Sequence, residues 1–444
     1  MKKTFLILFF IAGIYSSVYS QCWKSITAGN SNFFAIAENG TLWAWGRNTY
    51  GELGEGTNSQ RSTPVQIGTD TNWKEISASI NPIASFTLGV KTDGTLWAWG
   101  NNERGQLGDG TLLNRNSPVQ VGSDTDWKTV TAGFTHSIGI KQNGTLWGWG
   151  SSERFALIGF PSGINVLVPE QRNMDTDWVQ ASAHDRVTVA VKSDKTVWCW
   201  GWNHDNFLDV PFGSVITNNI QYPAKKNFST NVKYTTTGDR RSFDVNENNL
   251  VINPNDPLNN NPAYVKHLDT GNSTLVYIPL NNGTLRSAGY RLGSSGQTSG
   301  DFQLSSANNW KLVSVGGESA GAINNNGELY VWGSNFDGQL GNGGSGTSSI
   351  LPLLVSCPSV LSNEKFTTET SIKVYPNPIK DKLTIESIVS IERIVIIDVF
   401  GKEIYNEITN DTNVEINLSR LDQGVYFALV YANGIQKPIK IIKN

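Results

Sequence analysis

Charged residues are scarce in this chain: Lys, Arg, Asp and Glu supply 16% of its 444 residues, and the formal net charge is -3. Such a chain lacks the overall excess of positive charge that would attract nucleic acid or an anionic membrane surface. Histidine is also rare, and His136, His184, His204 and His267 have no second His or Cys at metal-ligand spacing. We therefore expect no nucleic-acid partner, no metal site and no cofactor.

Long hydrophobic runs are absent beyond the first residues, because no later segment approaches the ~20 apolar residues that a spanning helix needs. The chain starts with Lys2 and Lys3, an apolar run over residues 5–14 and small residues up to Ser20. This is the layout of a cleavable signal peptide. Residues 1–20 are predicted to be that signal peptide, with a retained anchor as the alternative. After cleavage we expect an exported chain without an integral membrane segment.

Glycine and tryptophan are abundant, with 44 and 15 residues respectively, alongside many Asn, Ser and Thr. This composition is typical of short strands joined by tight turns. Single hydrophobic cores stop growing near ~250 to 300 residues. We therefore expect an all-β protein with more than one domain.

One unit recurs along most of the chain, marked by "GTLWAWG" at residues 40–46 and again at 94–100. Each copy contains four short apolar runs bounded by turn residues, which predicts a four-stranded antiparallel sheet. Seven such sheets are best closed radially, since closure leaves few exposed edges. The fifth and sixth copies are weak and are inferred mainly from their phase. The predicted copies start at Trp23, Trp73, Trp127, Trp178, Val232, Val265 and Trp310.

The pattern "WKxxxAG…GTLWAWGxNxxGQLGxGT…PVQ" resembles the regulator of chromosome condensation repeat, whose family forms seven-bladed β-propellers. The resemblance implies a propeller over residues 21–359. Founding eukaryotic members act on a small GTPase and bind nucleosomes. Because this chain is predicted to be exported and is mildly acidic, that activity is not transferred to it.

In a closed ring of this kind, Cys22 in the first copy and Cys357 after the last copy would lie side by side. Export permits oxidation, so a Cys22–Cys357 disulfide is predicted, with free buried thiols as the alternative. Cys199 is expected to act as a small buried apolar residue.

The repeat stops after Pro358, and a polar linker over residues 360–371 precedes a different pattern over residues 372–444. Alternating strands there predict a small β-sandwich. The segment resembles the C-terminal sorting domain of type IX secretion, known from Bacteroidota-type bacteria, on the motifs "YPNP", "DVFGKEI" and "LDQGVYF". The resemblance implies recognition by the secretion machinery and a secreted or cell-surface protein; a permanent adhesive sandwich is the alternative. The implied signal residues are Tyr375, Pro376, Asn377, Pro378, Gly401, Gly424 and Tyr426.

No catalytic constellation stands out in the propeller. "GNGGSG" at residues 341–346 occupies a turn slot, and no nucleophile elbow occurs. The acidic turns "DTN" and "DTD" before the second, third and fourth copies fit either calcium coordination or self-bonded turns. A spatial carboxylate pair for glycoside cleavage stays open.

The tryptophans themselves are assigned to packing, because fourteen of the 15 occupy fixed repeat slots. The residues that follow each "WG" vary, and variable loop tips on rigid blades suit recognition. We interpret the chain as a non-enzymatic binding propeller for an extracellular protein or glycan. A carbohydrate-active enzyme, an inhibitor of an exported hydrolase and ordinary solvated turns are the alternatives. The candidate ligand-binding residues are Tyr50, Arg104, Arg154, Trp202, His204 and Phe336.

Overall fold

The computed structural model describes residues 22–157, 160–203, 210, 219–227, 231–238, 241–252, 264–272, 274–290, 292–293, 299–357, 372–398, 402–432 and 435–444. It divides the chain into two compact units, Met1–Pro358 and Ser359–Asn444. The predicted signal peptide and the whole of the predicted linker lie outside the described residues.

The first unit is a ring of antiparallel sheets, each of which forms one blade, with strands in chain order from the centre outwards. Blade one holds β1 (Trp23–Ala28), β2 (Asn32–Ala37), β3 (Leu42–Gly46) and β4 (Arg61–Gln66). Blade two holds β5 (Trp73–Ala78), β6 (Phe86–Lys91), β7 (Leu96–Gly100) and β8 (Arg115–Gln120). Blade three holds β9 (Trp127–Ala132), β10 (His136–Lys141), β11 (Leu146–Ser151) and β12 (Asn165–Glu170), with a 3₁₀ turn at Glu153–Phe155.

The remaining blades follow the same order. Blade four holds β13 (Trp178–His184), β14 (Val187–Lys192), β15 (Val197–Trp202) and β16 (Asn219–Lys225). Blade five has three described strands, β17 (Val232–Gly238), β18 (Arg241–Asn246) and β19 (Val251–Ile252). Blade six holds β20 (Val265–Thr270), β21 (Thr274–Pro279), β22 (Leu285–Tyr290) and β23 (Ser299–Ser305). Blade seven holds β24 (Trp310–Val315), β25 (Ser319–Asn324), β26 (Leu329–Gly333) and β27 (Ser349–Val355). The predicted seven-bladed propeller is confirmed.

The repeated tryptophans form the contacts between blades. The second tryptophan of "LWAWG" is fully buried and its indole Nε1 donates to a backbone carbonyl of the preceding blade: Trp99 to Glu52 at 2.9 Å, and Trp149 to Gln106 at 2.9 Å. Trp45 of blade one donates to Gln339 of blade seven at 3.0 Å, which closes the ring. These contacts agree with the packing role that the repeat slots predict.

The ring is also closed covalently. A disulfide joins Cys22 to Cys357, with their Cα atoms 6.0 Å apart and 335 positions apart in sequence. Cys199 is a buried cysteine of blade four outside that bond.

A central channel runs between the seven innermost strands. The side chain of the fifth residue of each of these strands forms a hydrogen bond to the innermost strand of the following blade. Ser77, Thr131 and Ser182 each accept a hydrogen bond from a backbone N–H of the following blade, at 3.0 to 3.1 Å. Asp269 and Ser314 do the same at 2.8 and 3.0 Å. The two other hydrogen bonds are donated by Thr27 to the carbonyl of Ile76 and by Thr236 to the carboxylate of Asp269. We call these seven side chains the channel belt.

The acidic turns before the second, third and fourth copies hold lysines against tryptophan faces. Lys141 Nζ lies 2.6 Å from Asp124 and 3.2 Å from Asp126, and 4.4 Å from the ring centre of Trp147. Burial disfavours its charge, but the hydrogen bonds to Asp124 and Asp126 outweigh burial and raise the pKa of Lys141. The carboxylates of these turns are therefore paired with the protein's own cations. Equivalent clamps hold Lys91 with Asp70 and Lys192 with Asp175 and Asp177.

The second unit is a small sandwich of two sheets around its own apolar core, as predicted. One sheet has the order β28-β29-β32, from β28 (Lys373–Tyr375), β29 (Lys382–Glu386) and β32 (Asn413–Asn417). The other has the order β31-β30-β33-β34, from β30 (Ile391–Asp398), β31 (Glu403–Ile408), β33 (Gly424–Ala432) and β34 (Ile435–Lys443). Alternation of buried and exposed positions, as in β32, supplies the core from one face of each strand.

Candidate binding surface

The two ends of the propeller carry different loops. Because neighbouring strands of a blade are antiparallel, the loops after its first and third strands lie at one end of the ring. We call this the variable-loop end; in blade one it includes residues 29–31 and 47–60. The opposite end carries the turns between second and third strands and the connections between blades.

A groove of about 310 Å³ opens at the variable-loop end between blades two and three. Blade two contributes residues 81–84 of its first loop together with Glu103 and Arg104 of its third loop. Phe134 and Glu153 of blade three and Arg186 of blade four also line the groove. The groove therefore combines loops from three consecutive blades.

The chemistry of the groove is mixed. Ile83 is 74% exposed and offers an apolar contact at the groove. Arg186 forms ion pairs with Glu153 and Asp185, both at 3.4 Å, whereas Arg104 is exposed. An apolar anchor beside guanidinium groups is typical of protein-binding surfaces.

Several of the residues predicted from the variable loops flank this groove. Arg104 lines it. Tyr50 lies next to Arg47, whose guanidinium carbon is 5.9 Å from the phenol ring centre, and Arg47 donates to the carbonyl of Pro82 in the groove. On the other side, the Arg154 guanidinium stacks over Trp202 at 4.9 Å.

Of the two remaining candidates, only Phe336 lies in the described part of the chain. Phe336 is 71% exposed on the third loop of blade seven and does not line the groove. His204 lies outside the described residues, so its assignment stays a prediction.

The sequence interpretation missed the groove residues that come from first loops, namely Ile83, Phe134 and Arg186. The sequence does contain a signal for Ile83, in the spacing between the start of the first strand and the start of the third strand of a blade. This spacing is 23 positions in blade two (Trp73 to Leu96) and 19 positions in blade one (Trp23 to Leu42). The first loop of blade two is longer by that difference, and inserted loop residues often carry binding functions. Phe134 and Arg186 have no comparable signal in the sequence.

Three of the six non-glycine residues with positive φ among the described residues are close in sequence to groove residues. Arg154, Phe155 and Asp185 have positive φ values of 53°, 61° and 44°, a region that non-glycine residues rarely adopt. Such strain persists only where surrounding structure enforces it, and it clusters at functional sites. This placement supports the groove as a candidate site.

The channel is polar and holds desolvated carboxyl groups. Thr129 donates to Glu75 at 2.7 Å, and Asp269 accepts from Val315, Thr236 and Thr270. Burial nevertheless raises the pKa of both carboxyls above its ordinary value. Burial also lowers the pKa of His267 to about 4. The channel therefore disfavours fixed charge in its interior.

His184 is buried where the channel meets the variable-loop end, and neither of its ring nitrogens has a hydrogen-bond partner among the described residues. Burial lowers its pKa to about 3. Between pH 3 and 6.5 the unfolded chain therefore binds a proton here that the folded chain does not, so this contribution to stability is lost as pH falls below 6.5.

Replacing His184 with Phe is expected to make the free energy of unfolding fall less steeply as the pH is lowered. Through that window the wild-type protein should lose about 1.4 kcal/mol more per pH unit than His184→Phe does. Denaturant unfolding of both proteins between pH 7 and pH 5 measures the difference. Parallel stability curves would show that the pKa of His184 is not lowered in the folded state.

In the second unit, the "YPNP" segment is tied to the last strand. Asn377 Nδ2 donates to the carbonyl of Lys440 at 2.8 Å, and the N–H of Ile442 donates to Asn377 Oδ1 at 2.9 Å. Pro376 and Pro378 flank this asparagine. Tyr426 donates to the carbonyl of Asp422 at 3.0 Å, at the start of β33 beside Gly424. Gly401 lies outside the described residues.

Within the described ranges, no cluster of three or more His, Cys, Asp or Glu side chains could hold a metal ion. The same residues include no helix of the length and hydropathy needed to cross a membrane.

The blade geometry agrees with comparisons of the chain with known families. Models described as the regulator of chromosome condensation repeat match residues 39–81, 93–140 and 326–371, and a second model of that repeat matches 23–52 and 127–155. This part of the chain therefore carries regulator of chromosome condensation repeats. The matched repeats cover blades one to three and blade seven, so the family sequence pattern is strongest there.

Solved structures of regulator of chromosome condensation propellers show the same fold. Yeast RCC1 (Prp20), in a crystal structure bound to Kap60, aligns with a TM-score of 0.58 at 16% identity, over 84% of this chain and 93% of that one. The Prp20p structure from Saccharomyces cerevisiae aligns with a TM-score of 0.57 at 17% identity, over 80% and 90% of the two chains.

Among curated proteins, the ultraviolet-B receptor UVR8 of Arabidopsis thaliana is 28% identical over 240 residues, which are 52% of each chain. The chain thus spans about half the length of this relative. The human E3 ubiquitin-protein ligase HERC2 is 33% identical over 85 residues, or 19% of this chain and 2% of its own.

The second unit matches a model described as the secretion system C-terminal sorting domain over residues 373–444. This match indicates export through type IX secretion, to the cell surface or into the medium.

Proposed function

We propose that the exported propeller is a non-enzymatic binding module that recognises an extracellular protein through the groove at its variable-loop end. The observation that supports this most is the meeting of exposed Ile83 with Phe134, Arg104 and Arg186 on rigid blades. Buried aromatic and arginine anchors dominate the energetics of protein interfaces. Tyr50 and Trp202, each next to an arginine, extend this surface on both sides.

A glycoside-cleaving activity is the weaker reading. Such an enzyme needs a carboxylic acid held protonated near neutral pH beside its substrate. Among the described residues, burial raises the pKa of the carboxyls of Glu52, Glu75 and Asp269, and none of them lines the groove.

The groove is tested with the mature full-length chain immobilised and exposed to surface and secreted proteins of its own source cells. A partner retained by the wild type should bind at least tenfold more weakly to Ile83→Asp and to Arg104→Ala, because each variant removes an anchor. Leu113→Asp is the matched control, since Leu113 is 63% exposed in blade two outside the groove.

Equal retention by all four proteins would refute the groove as the binding site. A glycan that is captured on an array by the wild type, and lost with Ile83→Asp, would replace the protein partner by a glycan.

A further inference from the structure

The innermost strand of every blade contains a β-bulge at its second residue. The strand register shifts between Trp23 and Ser25 in blade one and between Trp73 and Glu75 in blade two, and the five other blades show the same shift. A bulge leaves its extra residue out of the ladder and redirects the side chain. All seven bulges lie where the innermost strands begin, at the end of the ring opposite the variable loops.

Six of the seven bulged residues are lysines, and the seventh is Val179. Five of these lysines are exposed and the Lys128 side chain is partly exposed. Six ammonium groups therefore encircle one mouth of the channel, although the chain as a whole has a net charge of -3. We call this set the lysine ring; it consists of Lys24, Lys74, Lys128, Lys233, Lys266 and Lys311.

Adjacent members of the lysine ring lie within reach of one another. Lys74 Nζ donates to the carbonyl of Lys128 at 2.6 Å, and Lys266 Nζ donates to the carbonyl of Trp310, next to Lys311, at 2.6 Å. Lys233 Nζ donates to Asn249 at 3.1 Å. No carboxylate of the described part of the chain forms an ion pair with any of the six. The lysine ring thus has no ion-pair partner among the described residues, although Lys74 acts electrostatically on Glu75 and Lys233 on Glu247.

The channel behind the mouth favours hydroxyl groups over further charge. It has a volume of about 300 Å³ and is lined by Ser77, Thr131, Gln180 and Ser182. The raised pKa values of Glu75 and Asp269 show that a charge inside the channel is disfavoured, so an anionic group would stay at the mouth. Tyr264, 51% exposed and two positions before Lys266, offers an aromatic face at this end of the ring.

We infer that the lysine ring is a second binding site, which takes an acidic saccharide chain bearing carboxylate or sulfate groups. Lysine ammonium groups bind such anions as flexible point charges, without the planar fork that arginine uses for paired contacts. The sugar hydroxyls then meet the polar channel lining while the anionic groups remain at the rim. This site lies at the other end of the propeller from the groove and does not depend on it.

The test measures binding of a fluorescent heparin hexasaccharide to the mature full-length protein, with neutral maltohexaose as the uncharged probe. Heparin is expected to bind and to weaken as salt rises from 50 to 200 mM, while maltohexaose does not compete. The double variant Lys24→Gln/Lys311→Gln should bind heparin about tenfold more weakly. Neither ammonium group has a hydrogen bond or ion pair with another residue in the described part of the chain. Lys225→Gln, at an exposed lysine of the outer strand β16, should bind like the wild type.

A gain of binding sharpens the test. Val179→Lys adds the missing seventh lysine to the lysine ring and should tighten heparin binding several-fold, whereas Val179→Gln should not. Equal affinities of the wild type and Lys24→Gln/Lys311→Gln would overturn the proposal, as would competition by maltohexaose. Binding of a single-stranded 12-mer DNA as tight as that of heparin, with the same lysine dependence, would overturn the saccharide assignment.

Discussion

A chain that ends at residue 371 is expected to accumulate in the periplasm as a folded propeller, with none at the cell surface or in the medium. The sorting domain matches residues 373–444, and it has a core of its own that includes Leu383, Ile394 and Val430. Its removal therefore takes away the export signal while leaving the cores of the blades intact. Cell fractionation followed by immunoblotting, with protease shaving of intact cells, measures the distribution.

The matched control replaces residues 360–371 with a Gly/Ser segment of equal length. A linker tolerates such a change, so this variant should be exported like the wild type. Unchanged surface display of the truncated chain would contradict the sorting role of the second unit.

Loss of the Cys22–Cys357 disulfide is expected to lower the free energy of unfolding of the propeller by about 5 kcal/mol on the chain-entropy model, because the bond closes a very long loop. The two cysteines are 335 positions apart, so the unfolded chain is strongly restricted while the bond is intact. Cys22→Ser/Cys357→Ser should therefore unfold at a much lower denaturant concentration than the wild type. All 15 tryptophans lie in the propeller, so intrinsic fluorescence reports this unit alone.

Reductant should shift the wild-type transition to that of the double variant and leave the variant unchanged. Cys199→Ala is the matched control, since Cys199 is buried in blade four outside the disulfide. Its transition should keep most of the sensitivity to reductant. Coincident transitions for the wild type and the double variant would contradict the predicted stabilisation.

The architecture could be read from the sequence because each blade repeats the same buried positions. The seven predicted copy starts, from Trp23 to Trp310, coincide with the first residues of the innermost strands. Even the weak fifth and sixth copies begin with fully buried Val232 and Val265. The same position must be filled by a buried apolar side chain in every blade. Apolar residues therefore recur at regular intervals in the sequence, even where the residue type changes.

The candidate sites were harder to predict because they depend on which loops the ring brings together. The variable residues after "WG" pointed to Arg104, but Ile83 comes from a different loop, which the antiparallel strands of blade two bring to the same end as Arg104. The lysines at the second position of six of the seven copies are plain in the sequence. Their meaning appears only when the β-bulges and the closed ring place them around one opening.

The disulfide also determines how the propeller responds to a pull on its tail. Tension applied beyond Cys357 passes through the sulfur atoms to Cys22 and so to β1, as well as to β27. The last strand cannot be peeled from blade seven alone, because its end is tethered to the first blade. A pull on the C-terminal unit would therefore be shared between the first and the last strand of the propeller.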